Sequence, residues 1–510
     1  MEPIPVNSWQ THKTDRRGSR LSNLQPWMMP LALLMLVAPL LGPASSAQAA
    51  EDAREWPRLC PTSNRFGIAL PGTSDITNYD IGQLHAGWYH NFGMLPIPAR
   101  PAGLGYVQTI RLSDDYHLPQ CEPLRRACCS CPTWDQLSAV VQANPGSLWL
   151  LGNEPDRIAI QDGVTPENYA RLYHDFYRFL KAKDPSSQVG VGGVVQPTPV
   201  RLEYLGMILD AYQGFYGTQM PVDVWNVHNY VLREKRMYSG CPDCWGADIP
   251  PGVPENVGML YEIDDHDNMA YWTSHIIAFR RWMSDRGYRD RPLVISEYGI
   301  LMPVIYGYTY ERVRTFMLAT FDWMMTAADP DSGYPADGNR LVQAWNWYSV
   351  DDKGFEGYFG FSHLFDPDSR AITPLGIDYG AYTAGFTSPD VELQMVTIRH
   401  TQPQGINTVT ITVTAEVANQ GTSAVQNVLV RFSRDGIQAG ETVIPSINAG
   451  EAKTASVLWP NLELGQSFQV TATADPDGQI PECDSLGNSL TVPLLVADRW
   501  YYLPLTYKLW

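Results

Sequence analysis

Leu148-Trp149-Leu150-Leu151-Gly152-Asn153-Glu154-Pro155-Asp156 is the stretch that decides the fold. It runs apolar without polar alternation, as a strand buried on both faces does, then breaks at Gly152 into a polar tip. Pro292 to Tyr298, PLVISEY, repeats the design and ends its apolar run at Glu297. Strands of this kind belong to parallel sheets covered by helices. In a closed parallel barrel their C-terminal ends share one face, so two carboxylates carried there converge across one cleft. Paired carboxylates in such a cleft are the equipment for cleaving glycosidic bonds.

Working outward, six further runs read as strands: Phe66 to Leu70, Ala86 to Phe92, Tyr106 to Leu112, Val189 to Val195, Asp223 to Tyr230 and Leu341 to Tyr348. The glycines of VGVGGVV at 189–195 point to a close approach of neighbouring chain. Between the strands lie helical patterns. Thr165-Pro166-Glu167 opens one, with a capping residue before a first-turn proline, and Tyr169, Leu172, Tyr173, Phe176 and Leu180 follow at helical spacing. Val200 to Tyr212, Asn268 to Arg286 and Tyr310 to Ala328 read alike. Strand and helix in alternation predict a (β/α)8 TIM barrel, an α/β fold, over residues 64–389. The connections after the first two strands carry only faint helical signal, and Pro96, Pro98 and Pro101 give the one after Phe92 the character of a loop. Two long connections, 113–133 and 231–266, follow strand C-termini and are expected to wall the cleft.

From about Asp390 helical periodicity is replaced by short alternating strands, separated by turns such as Asp435-Gly436 and Asp477-Gly478. An all-β immunoglobulin-like sandwich is expected over 390–498, followed by a short tail, 499–510. At the other end, a basic region, the apolar run Trp27 to Leu41 and the small-x-small site Ala47-Gln48-Ala49 read as a signal peptide over 1–49, with a lead segment at 50–63. The apolar run falls short of the ~20 residues that span a bilayer. A secreted or extracellular protein, with no membrane span after processing, is the expectation.

The 510-residue chain carries a net charge of −18, which disfavours DNA, RNA and anionic lipid as partners and leaves neutral polymers open. Its eight cysteines suit an oxidising compartment. Cys121, Cys128, Cys129 and Cys131 share one connection and Cys241 and Cys244 another, with Cys60 and Cys483 apart. Disulfides and a zinc site are both compatible with that spacing.

Glycoside cleavage with retention needs an acid to protonate the leaving oxygen and a carboxylate to attack the anomeric carbon, ~5 to 5.5 Å apart. Glu154 and Glu297 are the candidates. The acid requires a raised pKa and the nucleophile must stay ionised through its neighbours. Arg111, after the third strand, and Tyr230, after the sixth, are candidates to hold Glu297 ionised. Trp88, Trp345 and Trp347 sit near strand ends, where an exposed ring could stack on a sugar. There is no HExxH, GxSxG or GxGxxG, and no metal or organic cofactor is expected for the chemistry.

Asn153-Glu154 at the end of strand four with Glu297 at the end of strand seven resembles the clan A glycoside hydrolases, over roughly residues 64–385. WYHNF at 88–92 and LGNEPD at 151–156 are similar to motifs of family 128, and families 39 and 5 share the general pattern. Family 128 places Phe before the Asn, where this chain has Gly152. The resemblance implies Glu154 as acid/base, Glu297 as nucleophile and Asn153 as donor to the sugar 2-hydroxyl. His228 and Tyr230 would be the polar pair of strand six, and Trp345 or Trp347 the platform of strand eight. Further along, VTAEVANQGTSAVQNVLVRFSRDG resembles the CARDB domain, an immunoglobulin-like, adhesion-related module. Together these imply a secreted retaining β-glycosidase of a polysaccharide or oligosaccharide. The alternatives are a non-catalytic carbohydrate-binding or adhesion protein on the same barrel, and an inverting pair.

Overall fold

The computed structural model describes residues 62–71, 74–114, 133–158, 161–237, 245–354, 357–403, 407–482 and 487–496. The signal and lead expectations up to residue 61, all eight cysteines and the tail lie outside the described residues.

Eight parallel strands close a barrel. They are β1 (Phe66–Ala69), β2 (Trp88–His90), β3 (Gly105–Tyr106 and Gln108–Ile110), β4 (Leu148–Asn153), β5 (Gln188–Gly193), β6 (Trp225–His228), β7 (Leu293–Tyr298) and β8 (Ala344–Tyr348). The two pieces of β3 are joined at Val107, whose N–H donates to Tyr89 O. Each strand pairs in parallel with the next, β5 meets β6 through bridges at Gly190–Val224 and Val194–Val227, and β8 returns to β1. The helices α1 (Trp134–Ala143), α2 (Pro166–Lys183), α3 (Pro199–Tyr216), α4 (Met269–Asp285), α5 (Tyr310–Thr326) and α6 (Pro374–Thr383) follow β3 to β8 in turn. After β1 and β2 the described residues make only short 3₁₀ turns, as the proline-rich connection after β2 leads one to expect.

Local chemistry fixes these boundaries. Five of these six helices, all but α4, have Thr at the N-cap, and in α2, α3 and α6 a proline follows in the first turn, where its missing N–H costs no bond. At α1, Thr133 and Gln136 form a reciprocal capping box.

Inside the barrel, Trp88, Val107, Leu148, Leu150, Val224, Val294 and Ala344 form a separate apolar layer. The strand residues between them, such as Trp149, Trp225 and Trp345, pack outward into the large core under the helices. The interior leaves no spare room: a β-carbon at Gly67 would fall 1.7 Å from Asn346 Oδ1 and 2.6 Å from the Trp88 ring. A filled barrel floor confines ligand access to the strand ends.

The C-terminal region is a second, antiparallel fold with its own core, in which Val413, Val430, Phe432 and Trp459 are buried. Its strands are β9 (Val391–Pro403), β10 (Thr408–Asn419), β11 (Val425–Arg434), β12 (Ile437–Ile447), β13 (Ala452–Glu463), β14 (Ser467–Ala474) and β15 (Ser489–Leu495). They form sheets of order β9-β10-β13 and β12-β11-β14-β15. Alternate residues of β14 are buried, and along β13 exposed positions alternate with half-buried or buried ones as far as Trp459, the period-2 signature of sheets solvated on one face.

Candidate active site

Glu154, His228 and Glu297 come together at the C-terminal ends of β4, β6 and β7. One donor atom from each lies within 4.8 Å of the other two, and among the described residues no other trio of His, Cys, Asp or Glu gathers this closely. These atoms are already engaged with protein partners. His228 Nδ1 is 3.2 Å from Glu154 Oε1 and 3.7 Å from Glu297 Oε2, and Tyr230 donates its hydroxyl to Glu297 Oε1 at 2.7 Å.

The backbone is shaped to deliver them. Gly152 has φ +101 and Glu154 itself φ +43, a left-handed conformation that a glutamate seldom adopts and that costs on the order of 1–3 kcal/mol. The Glu154 N–H is tied to Gly193 O. On β5 the glycine run does what its composition predicts: a β-carbon at Gly193 would stand 2.5 Å from His228 Cδ2, so only glycine leaves the imidazole its place.

The two carboxylates are both buried, yet their surroundings differ. Burial works to raise Glu154, but it is outweighed by the charge of Arg157 and by the hydrogen bond and charge of His228, leaving Glu154 below the ordinary glutamate range. Arg157 Nη1 donates to Glu154 Oε2 at 3.2 Å. At Glu297 burial prevails. The charge of His228 and the Tyr230 hydrogen bond pull down, the anion of Glu154 pushes up, and the net direction is upward. For His228, burial favours the neutral ring, but the two carboxylates win and raise it. His90, by contrast, is pushed down to about 3 by burial and by His228, and its Nε2 lies 2.9 Å from Ser296 O, next to Glu297.

Some of the residues expected at the site lie elsewhere. Asn153 is buried beside Glu154, its side-chain amide donating to Gln161 Oε1 at 3.1 Å and its N–H to Asp162 Oδ2 at 2.8 Å. Arg111 joins the same pair, with Nε 2.5 Å from Asp162 Oδ1 and Nη2 2.9 Å from Gln161 Oε1. Arg111 therefore orders the loop after Glu154 rather than holding Glu297 ionised. Of the two candidates for that task, Tyr230 is the one in contact.

The tryptophan platforms are corrected by strand parity. Trp345 and Trp347 are wholly buried on the outer side of β8: Trp345 packs edge-on to Phe66, and Trp347 packs on Tyr298 while donating Nε1–H to Ser362 O. Trp88 points inward but belongs to the closed interior layer, 2% exposed. None of the three presents a face to a ligand. Tyr348, one residue past Trp347 and so on the opposite face, is half-buried and close enough for Glu297 and Glu154 to act on its hydroxyl. Phe92, also half-buried, has its ring 6.2 Å from Tyr348 and 4.4 Å from His90. Period-2 counting from Ala344 would have selected Tyr348. Arg157 stands three residues after Glu154 and could have been found by asking which cation neutralises a buried NEP tip.

A second charge cluster lies behind the first. Arg201, from α3, is fully buried, pairs with Asp156 at 2.6 Å and with Glu234, and donates to Asp248 O at 2.7 Å. It ties the tip of β4 to the long connection after β6, which thereby lies beside the site, as the sequence led one to expect of a wall.

The fold and site define a (β/α)8 barrel with a carboxylate pair at its C-terminal face, followed by a β-sandwich. The sandwich matches a family model: residues 388–492 are a CARDB domain. No curated protein matches the chain. Among solved structures, a CARDB domain from Pyrococcus furiosus, determined with two metal ions, is 22% identical and covers 22% of this chain and 90% of that one, with a TM-score of 0.18. A glucosidase from Croceicoccus marinus is 13% identical, covering 84% of this chain and 96% of that one at a TM-score of 0.39. A monomeric β-xylosidase from Caulobacter crescentus is 12% identical, covering 78% and 94% at 0.40. The barrel itself stands on its own closed ladder of parallel pairs. No helix among the described residues is long and apolar enough to cross a membrane.

Proposed function

We propose that the protein is a secreted retaining glycoside hydrolase that cleaves β-glycosidic bonds of a polysaccharide or its oligosaccharides. The catalytic barrel would occupy residues 64–389, and the chain would mature near Ala49. The observation that carries this is the carboxylate pair: oxygens of Glu154 and Glu297 lie within 4.8 Å of each other at the ends of β4 and β7. Inversion needs room for a water between the two carboxyls and separates them by ~6.5–9.5 Å, whereas double displacement brings them to ~5 Å.

In the first step Glu154 gives its proton to the glycosidic oxygen while a Glu297 oxygen bonds to the anomeric carbon and the bond to the leaving sugar breaks. In the second, Glu154 takes a proton from water, which attacks the same carbon and frees Glu297. One proton must be shared within a pair that cannot both ionise cheaply. In the resting site Glu297 is the more readily protonated member. A bound glycoside reverses this, because its bridging oxygen accepts from protonated Glu154 and the positive charge growing at the anomeric carbon favours ionised Glu297. Tyr230, donating to Glu297, and His228, between the two, support the exchange. Phe92 and Tyr348 supply the partly exposed rings for stacking against a pyranose. The sandwich would serve adhesion, spacing or glycan contact.

A second reading, favoured by the ion pair between Arg157 and Glu154, exchanges the roles of the two glutamates. A third treats the barrel as a carbohydrate-binding module without turnover. Reducing-sugar release from a panel of β-glucans, mannans, xylans and galactans separates them, comparing the parent with Glu297→Ala and Glu154→Ala. Release by the parent that is lost in Glu297→Ala supports the enzyme. Rescue of a Glu297→Ala enzyme by azide as an α-glycosyl azide assigns the nucleophile, and the same product from Glu154→Ala would reverse the roles. Binding without release by the parent would support the third reading.

A further inference from the structure

Arg157 is unusual at a site that must deliver a proton. Its guanidinium is forked between Glu154 Oε2 and Gly246 O, both at 3.2 Å, and its side chain is only 16% exposed. Gly246 is itself anchored, since the next N–H, that of Ala247, donates to Arg233 O at 2.9 Å, and Ala247 pairs with Glu234 in a short bridge. The arginine is thus held on the carboxylate from behind by fixed backbone. Nor is its charge spent on the neighbouring acid of the same tip: Asp156 is satisfied by Arg201. Two guanidiniums and three carboxylates are sorted into two groups: Arg201 with Asp156 and Glu234, structural and fully buried, and Arg157 with Glu154 at the reacting group.

We propose that Arg157 is a positioning residue that holds Glu154 towards its anionic form and thereby sets the alkaline limit of catalysis, restricting the enzyme to acidic media. This rests on the reading of Glu154 as acid/base. The sign follows directly. An acid catalyst works only while protonated, so activity falls as pH rises through its pKa. A cation fixed against the carboxylate moves that fall to lower pH, and removing the cation moves it higher. The other groups facing Glu154 do not replace Arg157. From β6, His228 also favours the anion, and Tyr230 is committed to Glu297. From β7, Glu297 opposes ionisation, as does Asp156 on the β4 tip, while Tyr348 from β8 is directed to Asp352 and Arg201 from α3 is shared between Asp156 and Glu234.

The test is a titration that needs no substrate. With glutamate ¹³C-labelled at the carboxyl carbon and the Glu154 signal assigned by its loss in Glu154→Gln, its midpoint is read in the parent, Arg157→Gln and Arg157→Lys. Arg157→Gln keeps donors while discarding the charge, and is expected to raise the midpoint by about one pH unit or more; Arg157→Lys keeps the charge and stays near the parent. On any glycan the parent hydrolyses, the alkaline limb of kcat/KM should move upward in the Gln variant by the same interval. An unmoved midpoint in Arg157→Gln, or an equal displacement in both variants, would overturn the proposal, the latter by showing that only packing matters. These outcomes are separate from the failure of the glycosidase reading, which is marked by undiminished release from Glu297→Ala.

Discussion

The ends of β4 and β7 carry the same side chain into the same cleft and surround it differently. Glu154 meets a guanidinium and an imidazole, whereas Glu297 meets a phenol, the imidazole at a longer distance and the anion opposite. Burial is common to both, so it cannot distinguish them; the neighbouring charges do. The lesson is that strand position brings a carboxylate pair together, while its division of labour is written in residues a few positions away.

Four substitutions break or sharpen that comparison. The largest effect is expected from Glu297→Ala, which removes the bond-forming oxygen and should lower kcat by on the order of 10⁴-fold or more with binding preserved, as read by hydrolysis assays beside glycan-binding measurements. Next comes Tyr230→Phe, which deletes one hydrogen bond to a charged group. A loss of about 1.5–3 kcal/mol corresponds to roughly 10- to 100-fold in kcat/KM, and it should shift the acidic limb upward, because Glu297 would bind its proton more tightly. A drop in thermal stability with an unaltered pH profile would show that Tyr230 only fills space. Tyr348→Ala is expected to raise KM for oligosaccharides several-fold through the lost stacking face, on the order of 1 kcal/mol, measured against a small aryl glycoside that does not need the platform. The smallest catalytic effect belongs to Trp347→Phe. Its indole is buried in the helix layer, so the melting temperature should fall while kcat/KM per folded molecule stays within about twofold. A selective rise in KM there would restore it as a platform.

Much of this architecture is legible in the chain. The unbroken apolar runs ending in Glu154 and Glu297 belong to parallel strands, and the change of period near Asp390 is the passage to an antiparallel sandwich. The glycines of β5 announce the space His228 needs. What is not legible depends on orientation. Arg111 lies at the end of β3, where proximity to Glu297 is reasonable, but Asp162 in the loop after β4 claims it, and that loop's path is set by tertiary packing. Trp345 and Trp347 stand out by residue type, yet a strand alternates its side chains, and a difference of one position turns a ring from the cleft into the helix layer. Helix α1 escapes a reading of the sequence because it follows the long connection at 113–133 and is only Trp134–Ala143 long, and α6 because its span, Pro374–Thr383, is equally short and holds Gly376 and Gly380, which blur the helical pattern although Thr373-Pro374 is the same start signal as Thr165-Pro166.

The most direct test of the central claim is covalent trapping. The protein would be incubated with 2-deoxy-2-fluoro-β-glycosyl fluorides of the gluco, manno, xylo and galacto series, digested and sequenced by mass spectrometry. A fluorosugar on Glu297, absent from Glu297→Gln, is the predicted result. A label on Glu154, or turnover of a natural glycan that never yields a glycosylated carboxylate and releases the inverted anomer, would contradict it.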